Sequence, residues 1–185
     1  MRIIGGRWRG HRLASFGKGD TAAHLRPTPD RVRESLFSVL DGGRFGSPLE
    51  DAVVLDVFAG TGALGLEAMS RGASKVTFVE KGRTALNILR ENVEKTRAEG
   101  VRIVTRDATR LPANTGTPAS LVFLDPPYGK SLGAAALASA ISGNWLAREA
   151  LIVWEEASAQ VAPDGFSLLE TKSYGQTTIT LLRCL

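Results

Sequence analysis

Residues 53–65 read Val-Val-Leu-Asp-Val-Phe-Ala-Gly-Thr-Gly-Ala-Leu-Gly. Apart from Asp56, Val53–Val57 is β-branched or apolar, as in a parallel strand buried on both faces. Gly60, Gly62 and Gly65 follow in the spacing G-x-G-x-x-G. Beyond them Leu64, Leu66, Ala68 and Met69 lie in an Ala/Leu/Glu-rich run that favours helix. A strand, a glycine turn and a helix start present backbone N–H groups to the polar end of a ligand. Glycine is expected in that turn because a Cβ would hold the ligand off.

The same spacing serves dinucleotides, so the glycines alone leave the ligand open. Asp56 discriminates. A carboxylate four residues before the first glycine repels a pyrophosphate and suits the ammonium of an amino acid. S-adenosylmethionine carries that ammonium and no phosphate.

Outward from this stretch, strands and helices alternate. Lys75–Val79 reads as a second strand, ended by Glu80; residues 84–98 read as a helix stopped by Gly100. A third strand, 101–105, ends at Arg106-Asp107-Ala108. A fourth, 121–124, runs into Asp125-Pro126-Pro127-Tyr128-Gly129, followed by an Ala-rich helix at about 132–142. Residues 150–154 form a fifth strand, and 166–171 with 177–182 an antiparallel pair turning at Tyr174-Gly175. Upstream, Thr28 is placed to cap a helix, with Pro29 at its first position and Val32, Leu36, Phe37, Val39 and Leu40 along one face. The expected fold is α/β, a doubly wound and mostly parallel sheet with ligands bound outside the carboxyl ends of its strands. Asp56, Glu80, Asp107 and Asp125 each stand at such an end, which lines four carboxylates along one edge.

Each acid suits a different task. Glu80, 15 residues past Gly65, is placed to accept both hydroxyls of a ribose and would repel a phosphate there. Asp107, beside the Ala108 backbone, suits an adenine amino group. The sharpest signal is Asp125-Pro126-Pro127-Tyr128. Two prolines stiffen the backbone and supply no N–H, so carbonyls in the turn stay aimed outward. A planar exocyclic amine is a poor nucleophile because its lone pair is delocalised into the ring. If Asp125 and the Pro126 carbonyl accept its hydrogens, the lone pair turns toward an electrophile, while Tyr128 stacks on the base. A sulfonium methyl already carries positive charge, so in-line displacement needs positioning more than acid–base power.

Composition sets the outer limits. The 185 residues are enough for one core, and 43% hydrophobic content marks a globular chain. No apolar run approaches the roughly 20 residues of a membrane span, and no apolar core follows the N-terminal arginines as in a signal peptide. One cysteine, Cys184, excludes an internal disulfide, and His11 and His24 have no companions at zinc-ligand spacing. These features point to the cytoplasm. The net charge of +4 is concentrated at the start, where residues 1–33 hold eight basic side chains against Asp20 and Asp30. A basic end on a near-neutral domain implies a polyanionic partner. Ile3-Ile4 and His11-Arg12-Leu13 read as a short hairpin, with Arg7, Trp8 and Arg9 near its tip to grip phosphates and stack on bases. Arg26, Arg31 and Arg33 crowd the start of the next helix, which invites an anion. Residues 1–25 are therefore expected to form a basic arm and 26–185 the catalytic domain.

The motifs Asp56–Gly65, Glu80, Asp107 and Asp125–Tyr128 resemble those of class I S-adenosylmethionine-dependent amino-methyltransferases. Arg2-Ile3-Ile4-Gly5-Gly6, Arg26-Pro27-Thr28, Arg31-Val32-Arg33-Glu34-Ser35-Leu36-Phe37 and Asp56–Gly62 more narrowly resemble the bacterial 16S ribosomal RNA guanine-N2 methyltransferase family. The resemblance implies a seven-stranded Rossmann-like sheet with a small N-terminal hairpin, and methylation of one guanine in the small ribosomal subunit or its assembly intermediate; a monomer is expected. It places the cofactor on Asp56, Phe58, Gly60, Gly62, Glu80, Asp107 and Ala108, the amine on Asp125, Pro126 and Tyr128, and the RNA on Arg7, Trp8, Arg9, Arg26 and Arg31. Phenylalanine is common in the family where this chain has Tyr128, and either ring stacks. Three other readings stand beside it: an adenine-N6 methyltransferase of DNA, a nicotinamide-dependent oxidoreductase, and a non-catalytic RNA-binding protein.

Overall fold

Eleven regular elements follow one another in the computed structural model, which describes residues 1–17 and 30–185. They are α1 (Asp30–Asp41), β1 (Val53–Val57), α2 (Ala63–Ser70), β2 (Lys75–Val79), α3 (Arg83–Thr96), β3 (Val101–Val104), β4 (Ala119–Leu124), α4 (Leu132–Ser142), β5 (Leu146–Glu156), β6 (Phe166–Tyr174) and β7 (Thr177–Cys184). The strands form one seven-stranded sheet in the order β3-β2-β1-β4-β5-β7-β6. The first five are parallel, and β7 runs antiparallel to both of its neighbours. Parallel strands buried on both sides need apolar residues on both, and Val54, Leu55, Val57, Val122, Phe123 and Ile152 are each at most 2% exposed. Leu36, Phe37, Leu66, Met69, Phe78, Leu89 and Phe123 fill one layer, under α1, α2 and α3. Leu55, Val79, Val122, Leu137, Ile152 and Trp154 fill the other, under α4.

The helix α1 begins at Asp30, so the expected Thr28 cap and Pro29 lie outside the described residues. Its buried face is Arg33, Leu36, Phe37 and Leu40. Arg33 was expected at an exposed anion site; instead its side chain is fully buried and donates to the Arg2 carbonyl at 2.6 Å and to Asp30 at 2.8 Å. The strand β5 starts four residues earlier than the apolar run 150–154 indicates. Ala119 pairs with Leu146 before the register shifts, and Arg148-Glu149 interrupts the hydrophobic pattern that would have revealed this first part.

The N-terminal arm pairs as expected, but over a single bridge, Arg2 with Arg12, flanked by the bonds Ile3 N–H to His11 O and Leu13 N–H to Met1 O. Its tip is a 3-10 turn, Gly6–Trp8. Two strands this short do not hold on their own. Packing secures them, because Ile3 and Leu13 are buried in the same core layer as α2. The arm lies along α2. Met1 Sδ is 3.8 Å from the Thr61 hydroxyl at the glycine turn, and Trp8 N–H donates to Ser70 Oγ at the helix's far end. Its tip therefore sits at the amino-terminal edge of the sheet, about 12 Å of helix away from the glycine turn. Among the described residues no helix is long and apolar enough to cross a membrane.

Candidate active site

Between β1 and β4 the strand order reverses, and in a sheet of this kind the crevice opens there, outside the carboxyl ends. The turn after β1 and the turn after β4 lie on either side of that point. In the first, Phe58 takes a left-handed backbone (φ 60°), a strained state for a residue with a Cβ. The turn is pinned from the neighbouring strand: Ala59 N–H donates to the Val79 carbonyl at 3.0 Å, and Gly60 N–H donates to Glu80 Oε2 at 2.9 Å. Gly60 (φ 55°) has open space where a Cβ would stand, apart from the Phe58 carbonyl at 3.9 Å.

Gly62 and Gly65 are required for a different reason from the one the motif suggests. A Cβ at Gly62 would stand 2.4 Å from Leu89 Cδ1, and one at Gly65 2.4 Å from Phe78 Cε1. Close packing of α2 on β2 and α3 fixes these two positions, and only Gly60 borders open space. Asp56, 2% exposed, accepts the Gly65 N–H at 2.9 Å and so ties β1 to the first turn of α2. Burial pushes its carboxyl up to about 8; the Gly65 bond opposes that rise and the charge of Glu80 adds to it.

Glu80 organises the turn after β2. Its Oε1 accepts the N–H groups of Lys81 and Gly82 at 2.8 and 2.7 Å, while Oε2 holds Gly60. Asp107 accepts the N–H and hydroxyl of Thr109 through Oδ1, and Lys81 Nζ lies 2.7 Å from Oδ2. The Lys81 hydrogen bond, ahead of those from Thr109, holds its carboxyl well below the usual range. The Ala108 side chain is buried beneath it.

Asp125 follows the last residue of β4, its N–H directed at the Val57 carbonyl at 3.4 Å. Burial is the first cause that raises its carboxyl well above the ordinary carboxylate range; the charges of Glu155, Asp56 and Glu156 push the same way. Tyr128, 45% exposed, reaches across the end of β5 and lies 3.1 Å from Glu155 Oε1 and 3.3 Å from Thr177 Oγ1. Pro126 is buried behind it. Glu155 and Glu156, 4% and 6% exposed, were not anticipated. The signal was present, since Trp154-Glu155-Glu156 ends an apolar strand as Asp56, Glu80 and Asp125 do. Among the described residues no salt bridge neutralises Asp56 or Asp125. A cation placed beside them would favour their ionised forms.

The basic residues divide between the two edges. Arg7, Trp8 and Arg9 occupy the arm tip at the edge opposite Asp125, and Arg31 is exposed on the first turn of α1. Arg26 lies outside the described residues.

This sheet order defines a Rossmann-like protein, and the relatives of the chain place it among the methyltransferases. More narrowly, residues 1–183 match the family described as conserved hypothetical protein 95, and the chain belongs to it. Ribosomal RNA small subunit methyltransferase D of Escherichia coli K12 is 40% identical over 184 residues, covering 98% of this chain and 88% of that one. The protein of the same name from Haemophilus influenzae is 37% identical over 183 residues, covering 95% and 89%. The solved Escherichia coli yhhF chain superposes with a TM-score of 0.82 at 40% identity, covering 100% of this chain and 97% of its own.

Proposed function

We propose that this protein transfers a methyl group from S-adenosylmethionine to the exocyclic N2 amine of a guanine in 16S ribosomal RNA, in the small subunit or its assembly intermediate. The cytoplasm follows from that substrate, and a monomer suffices for it. The observation that carries the reading is the rigid Asp125-Pro126-Pro127-Tyr128 turn, set beside Asp56 and Glu155 at the crevice.

Asp56, Phe58 and Gly60 would hold the amino-acid end of the cofactor, Glu80 its ribose, and Asp107 with Ala108 its adenine, while Gly62 shapes the turn from behind. When bound, the cofactor supplies an electrophilic methyl. Asp125 and the Pro126 carbonyl accept the hydrogens of the target amine and turn its lone pair outward. Tyr128 fixes the plane of the base, its phenol positioned by Glu155 and Thr177. As positive charge develops on the amine, the Asp125 carboxylate stabilises it. Glu155 favours guanine over adenine. Guanine presents two adjacent donor groups, N1–H and the N2 amine, which suit two carboxylates side by side, whereas adenine presents an acceptor at N1. A paired base cannot enter such a crevice, so the target is extruded or single-stranded. Arg31 and Arg26 near the start of α1, with Arg7, Trp8 and Arg9 at the arm tip, would meet the RNA backbone.

The raised carboxyl of Asp56 gives this reading a pH signature. A cation favours the ionised form, so binding of S-adenosylhomocysteine, which keeps the ammonium, is expected to release up to about one proton from Asp56 at pH 7. Affinity should rise from pH 6 to 8 and level off above. By the same linkage the ligand-free protein loses stability as pH rises from about 4 toward 8, because the unfolded chain ionises Asp56 at its ordinary value. Calorimetry in two buffers of different ionisation enthalpy counts the proton; identical apparent enthalpies in both would remove Asp56 from the ammonium site.

The reaction is tested by incubating the protein with tritiated S-adenosylmethionine and small subunits from cells lacking the endogenous activity. The expected label is N2-methylguanosine at one position of 16S RNA. Label in N6-methyladenosine, or transfer to duplex DNA in preference to the subunit, would overturn the guanine reading.

A further inference from the structure

A second polar concavity lies at the edge of the sheet opposite the crevice, where the arm tip meets the end of α3. It encloses about 560 Å³ and is lined by Arg7, Trp8, His11, Lys95, Arg97 and Glu99. Three cations from two segments far apart in sequence thus face one space with one carboxylate in its wall. Glu91 also engages Lys95, at 2.6 Å.

Two features mark this as more than a solvated surface. Arg97 closes α3 in the left-handed conformation (φ 49°, ψ 39°), donating its N–H to the carbonyls of Glu94 and Val93. That position favours glycine or asparagine, and an arginine is strained there. Arg97 lines the basic cavity in this strained conformation, an outlier of the kind that functional sites retain. Arg7, for its part, lies over the Trp8 ring at 4.2 Å from its centroid. Stacking orients the guanidinium and covers one face of the indole. The cavity is thereby shaped for phosphates rather than for a stacked base.

We propose that this cavity is a second RNA-contact site, which holds the backbone phosphates of a duplex segment remote from the target base. The choice of RNA among polyanions rests on the substrate proposed above. Duplex RNA presents its phosphates and 2′-hydroxyls to proteins and hides its base edges, so a cradle of arginine and lysine whose one indole is already stacked by Arg7 suits it. With the catalytic crevice at one edge of the sheet and this cradle at the other, the RNA must pass around the side of the domain. A large folded RNA meets both sites at once; a short fragment carrying the target base meets one.

The test measures binding of a 16-base-pair RNA duplex without extruded bases, and of its DNA counterpart, by fluorescence anisotropy between 50 and 200 mM salt. Wild-type protein is expected to bind the RNA duplex with affinity falling steeply as salt rises. Lys95→Glu and Arg97→Glu should each weaken it about tenfold and lower the salt slope by about 1. Affinity for S-adenosylhomocysteine should not change. On whole small subunits the same variants should raise KM for methyl transfer while kcat stays within twofold. Arg97→Gly separates contact from folding: it should raise Tm by about 2–4 °C by removing the left-handed strain, yet still weaken the RNA duplex. Unchanged duplex affinity in both charge reversals would overturn the proposal, as would binding of the DNA duplex alone. A loss seen on whole subunits but not on the duplex would also overturn it, by assigning the cavity to a ribosomal protein. Duplex binding that the variants weaken, without any methyl transfer, would support this site and refute the substrate reading.

Discussion

Asp125→Ala is expected to lower kcat for methyl transfer by about 10³ to 10⁴, because two contributions vanish together. The charge-assisted hydrogen bond to the amine is worth about 1.5–3 kcal/mol. Stabilising charge that develops only at the reacting nitrogen adds about 2.7–4 kcal/mol, by analogy with loss of one preorganised donor elsewhere. At about 1.4 kcal/mol per tenfold change, their sum gives the stated range even with partial overlap. Asp125→Asn keeps an acceptor oxygen and should fall between the two. Neither variant should unfold the protein. Asp125 stands among Asp56, Glu155 and Glu156, each of which pushes its carboxyl upward, so neutralising it relieves repulsion. Thermal stability should hold or rise, and affinity for S-adenosylhomocysteine should stay within about threefold. Single-turnover transfer from tritiated S-adenosylmethionine to small subunits supplies the measurement. A kcat within tenfold of wild type in Asp125→Ala would remove Asp125 from the chemistry.

The rim was legible because buried parallel strands are written plainly. An apolar run that ends in an acid marks a strand and its carboxyl end together, as at Asp56, Glu80 and Asp125, while Asp107 follows the shorter and mixed β3 by three residues. Glu155 obeys the same rule, but two acids in succession at the end of β5 also read as an ordinary solvated strand end, and only their burial separates the two. The roles of Gly62 and Gly65 were not legible. The spacing is shared by ligand contact and by helix–strand packing, and only the positions of Phe78 and Leu89 separate them. Arg33 was readable in principle, as it completes the i, i+3, i+4, i+7 stripe with Leu36, Phe37 and Leu40. A charge in that stripe was assigned to the surface because its partners, Arg2 and Asp30, include one thirty-one residues away in a segment with no strong pattern of its own.

The same logic makes Glu67 the residue on which the arm depends. It sits in α2 among Leu64, Gly65, Leu66, Ala68 and Met69, all buried, so its carboxylate cannot reach bulk water. It accepts the N–H groups of Ile4 at 2.7 Å and Gly5 at 2.8 Å, and Arg71 Nε at 2.8 Å. Its charge also favours the buried Arg33 guanidinium, whose Nε and Nη1 have no hydrogen-bond partner of their own. Glu67→Ala strands two backbone donors and leaves the buried Arg33 with Asp30 as its remaining counter-charge. Breaking one side of such a buried arrangement costs about 3–5 kcal/mol, a large part of the roughly 5–15 kcal/mol that holds a domain together. The expected drop in Tm is on the order of 10 °C. The loss should centre on the arm, with early protease cleavage within residues 1–17, since Ile4 and Gly5 are what the carboxylate holds. Adding Arg33→Leu to Glu67→Ala should recover part of the stability, because a buried cation that has lost one of its two favourable charges is then gone while the orphaned amides remain. Additive losses in the double variant would show that Arg33 and Glu67 act independently, and a Tm within 2 °C of wild type for Glu67→Ala would show that the arm is held by Ile3 and Leu13 alone.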